Sequence, residues 1–341
     1  MDHLNRRGFL HASLAVSAAM VAGCTRDKPE SKLSAAPETG QTGVGAPASP
    51  PVKPETSPPA PQAQENAPML TRPIPRTGEA IPVIGLGTAR TFDIDSSNAD
   101  ERAPVLDVMR QFLTGGGRLI DSSPMYRRAE AVTGDLLAEL QAIGKPFLAT
   151  KVWTSGKREG IEQMERSLQR MRTTRMDLMQ VHNLLDWKTQ LPVLREWKQA
   201  GRIRYLGVTH YQLGAFEELE KLLRTEALDF IQLPYNLAVR EAEKRLLPAA
   251  KDTGTAVLVM RPFDEGSLFE RAKGKPLPPW AADFDCTSWA QFFLKFILGH
   301  PAVTCPIPAT AKPKHIADNL QAGRGRMPDE ATRQKMIAYL A

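Results

Sequence analysis

Several protein classes are excluded by what this chain has little of. Cysteine occurs three times in 341 residues, at Cys24, Cys286 and Cys305, too few for a disulfide framework. No uninterrupted apolar run reaches the roughly 18 residues that a membrane-spanning helix needs. No long Lys/Arg block is present, and the net charge of +6 is spread along the chain, so nothing marks a nucleic-acid partner. No Cys/His spacing matches a metal site, and no GxGxxG follows the first strand-like segment. What is present is an ordinary globular balance of 42% hydrophobic and 24% charged residues. The length suits either two domains or one α/β barrel of about 250 residues.

Residues 1–24, MDHLNRRGFLHASLAVSAAMVAGC, begin with a charged region and continue with a short apolar one. This pattern reads as an export signal. Arg6 and Arg7, followed by Gly8, Phe9 and Leu10, resemble the twin-arginine motif of bacterial Tat signals. Val21-Ala22-Gly23-Cys24 resembles a lipoprotein box, whose signal is cut before a cysteine that then carries lipid. The expectation is a signal peptide over 1–23 and a lipidated Cys24. The mature chain would then sit on the periplasmic side, anchored to a membrane as a lipoprotein, after passing through the Tat machinery. Residues 25–68 carry ten prolines and no aromatic residue. Such a segment cannot bury enough apolar surface to offset its ordering entropy, so 24–68 reads as a disordered linker.

From Met69 the pattern changes to short β-rich runs alternating with amphipathic segments. The runs are Val83–Gly87, Arg118–Asp121, Phe147–Val152, Asp177–His182, Ile203–Val208, Phe230–Leu233, Ala256–Met260 and Val303–Pro306. Val132, Leu136, Leu137, Leu140 and Ile143 mark one helical face. Ile161, Met164, Leu168 and Met171 mark a second, and Phe216, Leu219, Leu222 and Leu223 a third. Eight such alternations predict a (β/α)₈ TIM barrel over 69–341, with an open doubly wound sheet as the competing arrangement. Thr71–Pro75 and Ala80–Val83 flank Arg76-Thr77-Gly78-Glu79 and predict an N-terminal β-hairpin closing the barrel's bottom.

Reactive residues of a TIM barrel collect at the C-terminal ends of its strands. Asp121, Lys151 and His182 fall at such ends, and Tyr126 lies just past one. A phenol ordinarily titrates near 10, and an adjacent ammonium favours its ionised form. Asp121 would keep Lys151 charged in a dry pocket, and His182 would hold a substrate oxygen. The set suits delivery of a proton to an oxygen gaining negative charge, as in carbonyl reduction by a cofactor's hydride with Tyr126 as proton donor. Taken singly, each residue has a plainer reading: a turn cap at Asp121, a rim aromatic at Tyr126, a solvated strand end at Lys151 and a core histidine at His182.

At these residues the sequence resembles the aldo-keto reductases over about 70–325. Asp121-Ser122-Ser123-Pro124-Met125-Tyr126, Ala149-Thr150-Lys151-Val152-Trp153 and Gln180-Val181-His182-Asn183 are similar to that family's three catalytic motifs. Val83-Ile84-Gly85-Leu86-Gly87-Thr88 is similar to its first barrel strand, and Ile307-Pro308-Ala309-Thr310 through Asp318-Asn319 to its C-terminal cofactor motif. The resemblance implies an NAD(P)H-dependent oxidoreductase that reduces a small-molecule aldehyde or ketone to an alcohol without a metal. It implies that Asp121, Tyr126, Lys151 and His182 are catalytic. It further implies cofactor contacts from Thr88, Asp121, Thr209, His210, Gln232, Met260, Arg261, Pro262, Phe263, Pro308, Ala309, Thr310, His315 and Asn319. Ala89, Trp153 and Asn183 fall at the substrate pocket. The sequence departs from the family at His210, where asparagine is usual, and at Met260, where an aromatic usually stacks on the nicotinamide. Ala309 and His315 stand where many members carry Lys and Arg; NADP(H) is nonetheless expected ahead of NAD(H). The alternative function is a cofactor-binding redox sensor or accessory barrel with little turnover.

Overall fold

The computed structural model describes residues 67–341. The expected signal peptide with Arg6, Arg7 and Cys24, and nearly all of the Pro-rich linker, lie outside the described residues. A short antiparallel hairpin comes first, β1 (Thr71–Pro73) with β2 (Ala80–Pro82). Eight parallel strands follow: β3 (Leu86–Gly87), β4 (Leu119–Asp121), β5 (Phe147–Val152), β6 (Met176–His182), β7 (Ile203–Thr209), β8 (Phe230–Pro234), β9 (Ala256–Met260) and β10 (Cys305–Pro306). They pair in chain order from β3 to β10. The seam between first and last closes through Gly85 N–H to the Pro306 carbonyl (3.0 Å) and Gly87 N–H to the Pro308 carbonyl (3.1 Å). A Cβ at Gly87 would lie 2.7 Å from the Ile307 carbonyl oxygen, so glycine permits this close approach.

The connecting helices are α1 (Ala99–Thr114), α2 (Ala129–Glu139), α3 (Lys157–Arg170), α4 (Trp187–Gln199), α5 (Phe216–Thr225), α6 (Leu246–Thr253), α7 (Ser267–Ala272) and α8 (Trp289–Leu298). After β10 come α9 (Pro313–Gln321) and α10 (Glu330–Leu340). This is a (β/α)₈ barrel, and the open-sheet alternative falls. The first and last barrel strands are shorter than the sequence suggests. The Val83 amide bonds the Leu70 carbonyl beside the hairpin, and the Val303 amide closes a turn on His300. Ile143, expected on the apolar face of the second helix, is exposed, because α2 ends at Glu139 and Gln141 turns the chain at φ 51°.

The strands are buried along nearly their whole length, as expected where helices cover the outside and side chains fill the inside. Side chains alternate with period two, and the inward row of each strand grades from apolar to polar. Phe147, Leu178, Tyr205 and Phe230 lie low in the barrel, with Ile74 and Ile81 of the hairpin region in the same cluster. The Phe147 and Tyr205 rings stack at 5.8 Å, and Phe230 meets Tyr205 edge-on at 5.5 Å. Farther along the same rows come Lys151, Gln180, His182, Thr209 and Gln232, all buried. The bottom is therefore an apolar plug, and the polar groups gather at the mouth. Trp280 and Trp289 pack on Phe292 and Tyr339, between the outer helices. Cys286 and Cys305 are buried free thiols.

Candidate active site

Four neighbouring elements assemble the polar centre. Asp121 ends β4 and accepts the Lys151 ammonium at 2.7 Å, with both side chains almost wholly buried. Lys151 also donates to the Ser122 carbonyl at 2.6 Å, and Gln180 Nε2 reaches the other Asp121 oxygen at 3.3 Å. Two of the three ammonium protons are thus committed to protein. The Tyr126 ring centroid lies 5.1 Å from Lys151 Nζ and 6.0 Å, edge-on, from the His182 ring. Tyr126 is brought back over the strand ends by a tight turn in which its amide bonds the Ser123 carbonyl at 3.0 Å. Ser123 Oγ lies 3.0 Å from His182 Nδ1. Thr88, from the loop after β3, ties down the Asp121 carbonyl and Ser122 hydroxyl at 3.0 and 2.9 Å. The structure therefore brings Asp121, Tyr126, Lys151 and His182 together.

The electrostatics follow from burial and pairing. Burial works against the Lys151 ammonium, but Asp121 and Tyr126 outweigh it and hold its pKa above the ordinary value. Burial likewise opposes ionisation of Tyr126, and here burial wins: the phenol sits above its usual pKa even with Lys151 beside it. The expectation that Lys151 would leave this pKa lowered is corrected on that point, although Lys151 does pull in the lowering direction. His182 is depressed to about 3 by burial, the Lys151 charge and His210, so the imidazole is neutral.

The remaining residues expected at the mouth take the following places. Ala89 and Asn183 are partly buried beside the centre, and Trp153 is exposed with its ring 6.4 Å from His182. The Thr209 hydroxyl and the Asn183 amide oxygen are buried and meet no protein partner. Gln232 lies level with Thr209 on the neighbouring strand. His210 stacks on Tyr211 at 5.6 Å, and the Arg261 guanidinium lies over the other partner of that stack, 4.8 Å from the Tyr211 ring. Arg261 also pairs with Glu265 at 3.2 Å, so its charge is partly spent within the protein. Phe263, next after Pro262, packs its ring on Phe269. Met260 leans on the inner barrel cluster. Pro308 and Ala309 belong to the barrel seam, and Thr310 Oγ1 accepts the Lys312 amide at 3.0 Å. His315 is exposed on the first turn of α9, and Asn319 is buried farther along it. Asn183, Arg261, Asp264 and Glu265 hold left-handed backbone angles (φ 50–54°), which concentrates strained residues in the loops after β6 and β9.

Sequence reasoning singled out neither Ser123 nor Gln180 as a participant. The signal was available: Gln180 precedes His182 by two on an inward row, and Ser123 stands inside the Asp121–Tyr126 turn. A separate cleft lies at the opposite end of the barrel, lined by Arg118, Arg175, Asp177 and Arg204 among others. It contains none of the residues of this centre, and its Arg204 is already paired with Asp177 and Glu79. Among the described residues no group of three or more His, Cys, Asp or Glu is arranged to hold a metal ion.

Comparisons with known proteins agree with this architecture. Residues 83–335 match the model of the aldo/keto reductase family. Aldo-keto reductase YhdN of Bacillus subtilis is 31% identical over 207 residues, which span 56% of this chain and 61% of that protein. Methylglyoxal reductase YeaE of Escherichia coli is 27% identical, over 70% of this chain and 84% of its own. An aldo-keto reductase from Klebsiella pneumoniae, solved in complex with NADPH, superposes with a TM-score of 0.64 at 25% identity, covering 79% of this chain and 93% of that one. The barrel, the buried Asp121–Lys151 pair beside Tyr126 and His182, and a match running through nearly all the described residues make this chain a member of the aldo/keto reductase family.

Proposed function

We propose that the protein is an NADP(H)-dependent carbonyl reductase that converts a small aldehyde or ketone to the alcohol. The observation that carries this reading is the buried Lys151–Asp121 pair, whose ammonium gives two protons to Asp121 and the Ser122 carbonyl and faces Tyr126 with the third. NADP(H), when bound, supplies the hydride. Tyr126 gives its phenolic proton to the carbonyl oxygen as that oxygen becomes negative. The phenolate left behind faces the Lys151 ammonium, which Asp121 keeps charged at a site where burial alone would neutralise it. Neutral His182 orients the carbonyl oxygen toward Tyr126. The low dielectric of the barrel mouth strengthens each of these contacts.

The residues present fit the cofactor. Buried polar groups without partners call for an external one, and the Thr209 hydroxyl suits the nicotinamide carboxamide, with Gln232 beside it; the Asn183 oxygen, expected at the substrate pocket, is equally unpartnered and is here assigned to the carboxamide instead. The start of α9 has no side-chain cap and carries Lys312, Lys314 and His315, which suits a phosphate. The Klebsiella relative binds NADPH, and the Escherichia coli relative is named for methylglyoxal, which makes methylglyoxal the first substrate to try.

The reading also includes export as a lipoprotein through Arg6-Arg7 and Cys24, with the barrel folded and loaded with cofactor before it leaves the cytoplasm. Free NADPH is not expected outside, so slow cofactor exchange or a recycling partner belongs to the proposal. The test is steady-state oxidation of NADPH and, in parallel, NADH by the full chain with methylglyoxal and a panel of aldehydes and ketones. Turnover with NADPH supports the reductase. Tight nucleotide binding without turnover would favour the sensor reading, and no binding would end both.

A further inference from the structure

A neutral imidazole carries one ring proton, and which nitrogen holds it decides what the ring can do for a substrate. Among the described residues, the His182 ring makes one hydrogen bond to protein, between Nδ1 and the Ser123 hydroxyl at 3.0 Å. Ser123 Oγ has one other polar neighbour, the Met125 amide, which donates to it at 3.3 Å. A hydroxyl has one proton and two lone pairs. The Met125 amide occupies a lone pair, so the hydroxyl proton still needs an acceptor. Ser123 is fully buried, and Nδ1 is the acceptor within reach. A buried donor left unpaired is penalised, so the hydroxyl points its proton at Nδ1. Nδ1 must then be bare, and the ring proton must sit on Nε2. The reverse arrangement would strand the Ser123 proton and turn a lone pair, not a donor, toward the mouth.

We propose that Ser123 is a positioning residue that locks His182 in its Nε2–H tautomer, the form able to donate to a carbonyl oxygen. The same residue sets the Tyr126 turn, because its carbonyl accepts the Tyr126 amide at 3.0 Å. One serine thus fixes both the backbone turn that carries the proton donor and the proton of the histidine that faces it. The backbone of His182 is held as well: its carbonyl accepts the Leu185 amide at 3.1 Å, across the left-handed turn at Asn183 and Leu184. The ring is flanked by Tyr126 and Trp153, which limits its rotation. The lock matters because the ring is neutral; an imidazolium would donate from both nitrogens and need none.

The kinetic consequence rests on the carbonyl-reductase reading, whereas the tautomer does not. The experiment is long-range ¹H–¹⁵N correlation on the ¹⁵N-labelled full chain, with the His182 signals identified by their loss in His182→Gln. The expected result is protonated Nε2 and bare Nδ1 in the wild type, and a mixture of both tautomers in Ser123→Ala. Turnover of methylglyoxal should fall about tenfold in Ser123→Ala with the KM for NADPH unchanged, and Ser123→Thr, which keeps the hydroxyl, should restore the single tautomer. Nδ1–H in the wild type, or an unmixed Nε2–H tautomer in Ser123→Ala, would overturn the inference. Wild-type protein that shows the Nε2–H tautomer but reduces no carbonyl would defeat the functional reading and leave the tautomer lock standing.

Discussion

Replacing Asp121 with asparagine should turn Lys151 from a stabilising group into a destabilising one, in a way that depends on pH. Lys151 is 1% exposed and has one carboxylate partner, at 2.7 Å. Breaking a buried ion pair from one side typically costs about 3–5 kcal/mol, because the remaining charge is stranded. Lys151 can escape by losing its proton. At pH 7 that escape costs about 4.6 kcal/mol for a lysine of ordinary pKa near 10.4, and at pH 9 only about 1.9 kcal/mol. The variant should therefore lose about 4 kcal/mol of unfolding free energy at pH 7 and about 2 kcal/mol at pH 9. In the wild type the folded pKa of Lys151 is raised, so its contribution is complete below the unfolded value and fades only above it. In Asp121→Asn the folded pKa lies below the unfolded one. The unfolded state then binds more protons between the two, and stability rises with pH. Urea unfolding of both proteins at pH 7, 8 and 9, followed by tryptophan fluorescence, reads the difference. A loss below 1 kcal/mol, or a loss that does not shrink as pH rises, would refute the claim that Asp121 holds a buried ammonium.

Three further outcomes are expected. His182 titrates near 3 when folded and near 6.5 when unfolded, so its contribution to stability is present above 6.5 and is lost as pH falls toward 3, by up to about 1.4 kcal/mol per pH unit. His182→Gln should flatten acid denaturation over that window in urea titrations at stepped pH. His315→Arg should tighten NADPH binding about tenfold over NADH in a fluorescence titration, because a guanidinium grips a phosphate bidentately and an imidazole does not. Gly134→Ala should destabilise the fold by about 1–3 kcal/mol in urea despite alanine's better helix propensity, because a Cβ there would overlap the Arg170 carbonyl where α2 crosses α3.

The barrel was legible because its strands are continuous apolar runs separated by amphipathic helices, a pattern that survives without any contact information. That Asp121, Lys151, His182 and Tyr126 would lie together was legible because the first three fall at strand ends of a barrel and Tyr126 follows just past one, and such ends converge on one mouth. Strand lengths at the seam were not, since Val83 and Val303 have strand-like side chains while their amides are taken by the hairpin and a turn. The Tyr126 pKa was misjudged because sequence reveals the neighbouring Lys151 charge but not the depth of burial that outweighs it. Ser123 was missed for a related reason: a serine in a turn has many local uses, and its bond to His182 spans 59 positions.

The most direct test of the account is to compare wild type with Tyr126→Phe, measuring NADPH affinity by fluorescence and carbonyl reduction by loss of the reduced nicotinamide with the alcohol product identified. Equal NADPH affinity is expected, with a fall in kcat of about 10²–10⁴ in the variant, the usual range for removing a positioned proton donor. Equal rates of alcohol formation in the two proteins would contradict the assignment of Tyr126 as the proton donor, and with it the role given to the Lys151–Asp121 pair.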